Sequence, residues 1–190
     1  MAQEGLSESA DERRSRGLLV SDYLTGDMNP AEYADLAQRD AGLYGGFNLL
    51  VGDRSELHYA SSHDGQRKVG AGVHGLSNGK LDGDWPKVKR LSGRLRRMVQ
   101  EGDIDPEPIL DLMRDRDPAL ESQLPDTGVG QELELFLSPI FIQSQSYGTR
   151  CSTLILMRKD GKVIFYERSF NEYGTDVGTY REDFHIDPAA

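Results

Sequence analysis

An α+β fold is what this sequence predicts, and three observations carry the prediction. Apolar residues recur at helical steps in the first part and middle of the chain, alternating apolar segments stand at both ends of the middle helices, and no internal repeat or break in composition divides the whole. With 190 residues, 37% of them hydrophobic and 28% charged, the chain is long enough to bury a core without staples. Residues 1–12 are small, polar and acidic, with no apolar period, and are expected as a loose arm ahead of a single α+β domain over residues 13–190.

In chain order, Leu18, Leu19 and Leu24 mark a short helix over residues 17–24 that Gly26 ends. Asn29-Pro30-Ala31-Glu32 supplies a cap, a proline at the first helical position and a carboxylate in the first turn, which predicts a helix over residues 30–43. GFNLLVGDRSELHYASS reads as two strands about a Gly-Asp-Arg-Ser turn, and GVHGLSN as a short third strand. Asp84-Trp85-Pro86 repeats the cap-then-proline signal, and Val88, Leu91, Leu95 and Met98 follow at steps of three, four and three, a stripe that should face the core. Asp105-Pro106 opens a further short helix with Ile109, Leu110, Leu112 and Met113, and ESQLPDTGVGQ is a loop. The last third is β-rich, with two strands about a Lys-Asp-Gly turn in residues 147–170.

Composition excludes several function classes. A net charge of −10 repels a bulk polyanion, so no nucleic-acid partner is expected. The apolar runs fall well short of the roughly 18 residues that a membrane span needs, and MAQEGLSESADERRSRG has no apolar core of a secretory signal; a cytoplasmic protein is the expectation. His58, His63, His74 and His185 share no ligand spacing, so no metal site is expected. The basic run Lys87, Lys89, Arg90, Arg94, Arg96 and Arg97 reads first as the solvated face opposite the apolar stripe. Trp85, beside it, should pack near the Asn78 loop and not stand exposed. The lone Cys151 reads as a small buried residue and not a nucleophile.

Three ordered blocks, YGGFNLLVGD (44–53), GVHGLSNGKLDGDWPKVKRL (72–91) and YGTRCSTLILMRKDGKVIFYERSF (147–170), resemble the NRDE proteins, also called the transport and Golgi organisation protein family. RSRGLLVSDYLTG (14–26) is similar to that family's first helical segment, so the resemblance runs through most of the chain. It implies an N-terminal-nucleophile-hydrolase-like fold, in which two antiparallel sheets stack between helical layers in a four-layer αββα sandwich, related to the bile-salt and penicillin amidases.

In that class the nucleophile is the side chain of the first residue after methionine removal, with its own α-amine as base. The resemblance implies a cysteine there and an Asn-Arg-Asp-Glu motif after it. Here Ala2 follows Met1 and the string NRDE is absent. The expectation is therefore an amidase-like scaffold, for hydrolysis of non-peptide C–N bonds, that lacks the family's N-terminal segment and is inactive as the chain stands. The resemblance gives supporting roles to Asn78 in GLSN, as donor to an oxyanion, and to Arg150 in YGTR, as partner of a site carboxylate. A residue-level reading makes Asn78 a left-handed turn residue and Arg150 a buried ion-pair member. Gly79-Lys80 departs from the small apolar pair usual in the family.

The alternative implied is a non-catalytic protein that binds and traffics haem or an acyl lipid. Haem is then the cofactor, with Lys87, Arg90, Arg94 and Trp85 holding the ligand and His58, His63 or His74 offering iron ligation. The partner expected is a small-molecule ligand or amide substrate. Strand edges left uncovered by the missing segment, including residues 152–157 and 162–169, should favour self-association.

Overall fold

The computed structural model describes residues 13–102 and 104–186. The expected arm at residues 1–12, Ala2 included, lies outside the described residues. The described residues fall into two compact units, one ending at Asp82 and one beginning at Gly83, each with its own three-stranded antiparallel sheet. The α+β class expected from the sequence periods is the class observed. Among the described residues no helix is long and apolar enough to cross a membrane.

In the first unit α1 (Gly17–Thr25) ends at Gly26, and α2 (Pro30–Arg39) begins on the cap that the sequence signals, with Asn29 Oδ1 accepting the Glu32 amide at 2.9 Å. α2 stops four residues before its expected end, because the chain tightens at Asp40 into a 3-10 turn over Ala41–Leu43. Gly42 in that turn is a poor helix former. Strands β1 (Asn48–Gly52), β2 (Leu57–Ser61) and β3 (Gly65–Val69) pair in order, with Leu49 opposite Ala60 and Tyr59 opposite Arg67. Asp53 makes the first turn, its Oδ1 accepting the amides of Ser55 and Glu56 at 2.7 and 3.0 Å.

The expected third strand at GVHGLSN is instead a loop, and β3 is the preceding GQRKV. Its polarity hides it from a hydrophobicity reading. Arg67 lies 4.8 Å over the Tyr59 ring, and Lys68 reaches Glu56 at 2.7 Å, so pairing with β2 makes the strand. Tyr33, Ala34, Ala37, Leu49, Val51 and Ala60 share one core between α2 and the sheet. Tyr59, Val69 and Leu81 form a second small cluster, with Leu76 packed against it.

In the second unit α3 (Pro86–Glu101) is capped by Trp85 and not by Asp84, which pairs with Lys89 at 3.0 Å. It ends at Gly102 with φ 76, a conformation that glycine takes without strain. Its stripe of Val88, Leu91, Leu95 and Met98 is only half-buried, and no residue of α3 is fully buried. Asp105 caps α4 (Pro106–Leu112), accepting the Glu107 amide at 3.3 Å, and Ile109 and Leu110 are buried. The sequence reading missed α5 (Gln131–Leu137), whose buried Glu134 accepts from the Thr127 amide at 2.9 Å and from the Thr127 hydroxyl.

Strands β4 (Cys151–Met157), β5 (Lys162–Phe170) and β6 (Asp176–His185) pair in order, with the expected Lys-Asp-Gly turn between the first two. Of the two edges expected, residues 152–157 do lie on an outer strand, whereas residues 162–169 do not. β5 is central, bonded on both sides, and β4 and the unforeseen β6 are the outer strands of the sheet.

Arg168, 5% exposed on β5, ties this unit together. Its guanidinium donates to Glu107 and, at 3.1 Å, to Asp111, both on α4. Its Nε reaches Thr179 of β6 at 3.2 Å and Asp176 at 3.3 Å. Burial opposes its charge, and Glu107, Asp176 and Asp111 more than offset that, holding its pKa above the ordinary arginine value. Replacing both Glu107 by Gln and Asp111 by Asn leaves a buried cation with Asp176 alone, and should destabilise the protein by about 3 kcal/mol in urea unfolding, with either change alone costing about 1 kcal/mol. A double variant within about 0.5 kcal/mol of the parent would show that the cluster contributes nothing.

Candidate functional site

A cavity of about 740 Å³ opens in the first unit. Leu19 of α1 with Phe47 and Leu49 gives it apolar walls; Leu76, Ser77 and Asn78 close one side, and Arg16 and His63 also line it. What holds the Asn78 segment in place is Asn48, the first residue of β1. Its Nδ2 donates to the Gly79 carbonyl at 2.9 Å and the Ser77 carbonyl at 3.4 Å, while its Oδ1 accepts from the fully buried Tyr59 hydroxyl at 2.7 Å. Asn48 was missed at the sequence level; the signal for it is an amide inside the otherwise apolar strand FNLLV.

Asn78 is exposed and its side chain forms no hydrogen bond with the described residues, so its amide is free for a ligand. It is not the left-handed turn residue expected. The left-handed residue of this loop is Asp82, with φ 59. Asp82 clasps the loop: its amide donates to the Gly75 carbonyl at 2.7 Å, its Oδ1 accepts the Gly75 amide at 2.9 Å, and its Oδ2 lies 2.7 Å from His74 Nδ1. The other His74 nitrogen is 3.1 Å from the Gly70 carbonyl. Hydrogen bonding to His74 is the main cause that holds the Asp82 carboxyl below its ordinary range, with the Gly75 amide assisting against slight burial.

The expected histidines separate by environment. His74 is spent on the clasp. His58 is buried, with Nε2 3.4 Å from Glu56 but neither ring nitrogen aligned in a hydrogen bond. His185 closes β6, and only His63 lines the first unit's cavity. Among the described residues no group of three or more His, Cys, Asp or Glu is placed to hold a metal ion.

The basic run of α3 divides: Lys89, Arg96 and Arg97 are exposed, as a solvated face requires, whereas Lys87, Arg90 and Arg94 are engaged within the fold. Lys87 donates to the Leu137 carbonyl at 2.8 Å and lies over the half-buried Trp85 ring at 5.6 Å; burial pushes its pKa down against the opposing pull of Glu134. Arg90 and Arg94 both hold Asp115, at 3.3 and 2.9 Å, whose side chain is 5% exposed. These cations serve the fold, and they do not fit haem propionates without giving up those partners.

Cys151 is exposed at the start of β4, which corrects the expectation of a buried thiol. Arg150 is exposed as well, so the expected buried ion pair is not there; among the described residues its guanidinium has no partner, and its carbonyl accepts the Phe170 amide at 2.8 Å. The buried, paired arginine is Arg168.

Residues 2–172 match the family model described as Transport and Golgi organisation 2. The chain is 29% identical over 189 residues to the Transport and Golgi organization 2 homolog of Mus musculus, covering 88% of this chain and 67% of that protein. It is 32% identical over 192 residues to the Transport and Golgi organization protein 2 homolog of Bos taurus, covering 90% and 67%. For the homolog of Homo sapiens the figures are 29% over 175 residues, covering 82% and 62%.

The clasp has a pH signature. Because the folded Asp82 titrates below its ordinary 3.8, its contribution is present above that value and is lost as pH falls through the lower folded one. His74→Gln removes the principal cause. In carboxyl carbon NMR titrations the Asp82 midpoint should rise toward 3.8 in that variant. An unchanged midpoint would show that His74 does not set it.

Proposed function

This chain belongs to the Transport and Golgi organisation 2 family, and from that premise we propose that its first unit binds a small amphiphilic acyl or amide compound in the cavity beside Asn78. One observation carries the reading: a concave apolar surface meets an unspent amide on a loop fixed by Asn48. Binding sites for small molecules are mostly apolar with a few placed polar groups. Leu19, Phe47, Leu49 and Leu76 would take up an acyl chain at about 25 cal/mol per Å² of apolar surface removed from water. Asn78 would donate to the ligand carbonyl, the role the family resemblance gives it. Arg16, whose Nη1 already donates to the Gly46 carbonyl at 3.1 Å, has further donors for a polar head.

Binding without turnover is the form of the reading that these residues support. Among the described residues no base is hydrogen-bonded to the lining hydroxyl of Ser77, and the residues that line the cavity do not include Cys151. Haem is one amphiphile of this class, and His63 is the lining histidine that would be tested for it.

Calorimetric titration with a medium-chain N-acyl glycinamide should give saturable binding. Asn78→Ala and Arg16→Gln should each weaken it about tenfold, the value of one to two hydrogen bonds. Mass spectrometry of the mixture should show the amide intact, and a haem titration of parent and His63→Ala reports on the haem case. No saturable binding, or binding unmoved by both variants, would overturn the proposal; release of the free acid would replace binding with hydrolysis.

A further inference from the structure

The second unit contains a cavity of its own, of about 520 Å³, between the 142–149 loop and the 171–174 turn. Most polar groups of these segments are used up within them. Ser144 donates its amide to the Tyr147 carbonyl at 2.9 Å, and its hydroxyl accepts the Tyr147 amide at 3.0 Å. Thr149 Oγ1 accepts the Ile142 amide at 3.0 Å. Asn171 Oδ1 accepts the amides of Tyr173 and Thr175, both at 3.0 Å. Gln143 binds the two segments together, donating to the Tyr173 carbonyl at 2.6 Å, and Arg116 donates to the Gly174 carbonyl at 3.2 Å. Gly174 permits this: it has φ 66, and a side chain there would begin 2.9 Å from Gln143 Oε1. The walls are therefore fixed before any ligand arrives.

Two charges on those walls are left over. Arg150 and Glu172 both line the cavity, and neither side chain forms a hydrogen bond or ion pair with the described residues. They do not pair with each other, so they stand farther apart than the ~4 Å of an ion pair. A simple anion drawn to Arg150 would be opposed by Glu172, and a simple cation at Glu172 would be opposed by Arg150. A ligand carrying both signs satisfies both walls at once. We propose that this cavity binds a small zwitterion of the amino acid or short peptide type, its carboxylate on Arg150 and its ammonium on Glu172. The guanidinium fork suits a carboxylate in two-point contact, and the remaining hydroxyl and amide lining suits a polar backbone. All the residues that would hold the zwitterion belong to the second unit.

The test uses the full chain and three probes: L-alanyl-L-alanine, its N-acetyl derivative and its C-terminal amide. Chemical-shift titration should show saturable binding of the free dipeptide centred on residues 142–150 and 170–174, with each blocked probe at least about tenfold weaker. Arg150→Gln should abolish the advantage of the dipeptide over its amide, and Glu172→Gln its advantage over the N-acetyl form. Both side chains are exposed and have no partner among the described residues, so both variants should melt as the parent does. Three probes of equal affinity, no binding of the dipeptide, or an N-acetyl form that binds as well as the dipeptide would overturn the proposal.

Discussion

A guanidinium taken out of water must find counter-charge or the structure that buries it does not form. Arg168 meets that demand from a helix and from one adjacent strand, with Glu107 and Asp111 on α4 and Asp176 and Thr179 on β6. The planar fork addresses them in different directions, so a single residue fixes where the helix lies on the sheet and how the outer strand pairs. The inverse arrangement stands elsewhere in the same unit, where the buried carboxylate of Asp115 is held by Arg90 and Arg94 of α3. Two residues beyond Arg168, past the register shift at Ser169 and Phe170, the Phe170 ring stacks edge-on against Phe141 with centroids 4.8 Å apart. The walls of the polar cavity begin at that same strand end, since Phe170 lines it and donates its amide to Arg150. The geometry around Arg150 is thus inherited from the ion cluster beside it.

The first unit solves a different problem. Its 70–82 loop carries much of one cavity wall but has no regular backbone pairing of its own, so side chains supply the order. Asn48, itself held by the Tyr59 hydroxyl, bonds it to the sheet, and His74 with Asp82 closes it on itself. Leu76 and Leu81 add apolar contact against Tyr59 and Val69. Asn78 stays unspent because its neighbours Ser77 and Gly79, and not Asn78 itself, provide the carbonyls that Asn48 holds. A polar group kept free on a fixed loop is the arrangement that ligand binding requires.

Both cavities show how unevenly function was legible. Asn78 and Arg150 were singled out by resemblance, and each lines a cavity, but the residues that make those cavities usable were not foreseen. Asn48, Asp82, Gln143 and Gly174 act through partners from 7 to 58 residues away, which no local pattern displays. The basic run of α3 shows the same limit from the other side. Its cations looked like a face for an anionic ligand or for solvent, yet two of its arginines, Arg90 and Arg94, hold Asp115, 25 and 21 residues further along.

What the sequence determined by itself is what short-range chemistry decides. Asn29-Pro30 and Asp105-Pro106 start helices because a side-chain acceptor and a fixed φ act within one turn. The β4–β5 hairpin follows from two apolar runs about a Lys-Asp-Gly turn, and the three quoted blocks were enough to identify the family. Only the tertiary structure decided that GQRKV is a strand and GVHGLSN is not, that β5 is central, and that QELELFL is helical. A strand exists by virtue of the partner it bonds, and a seven-residue helix by the contacts that cover it. It alone decided, too, that Arg168 is buried and Arg150 exposed. Two arginines 18 residues apart in sequence are chemically identical until the fold gives carboxylates to one and leaves the other without a side-chain partner among the described residues.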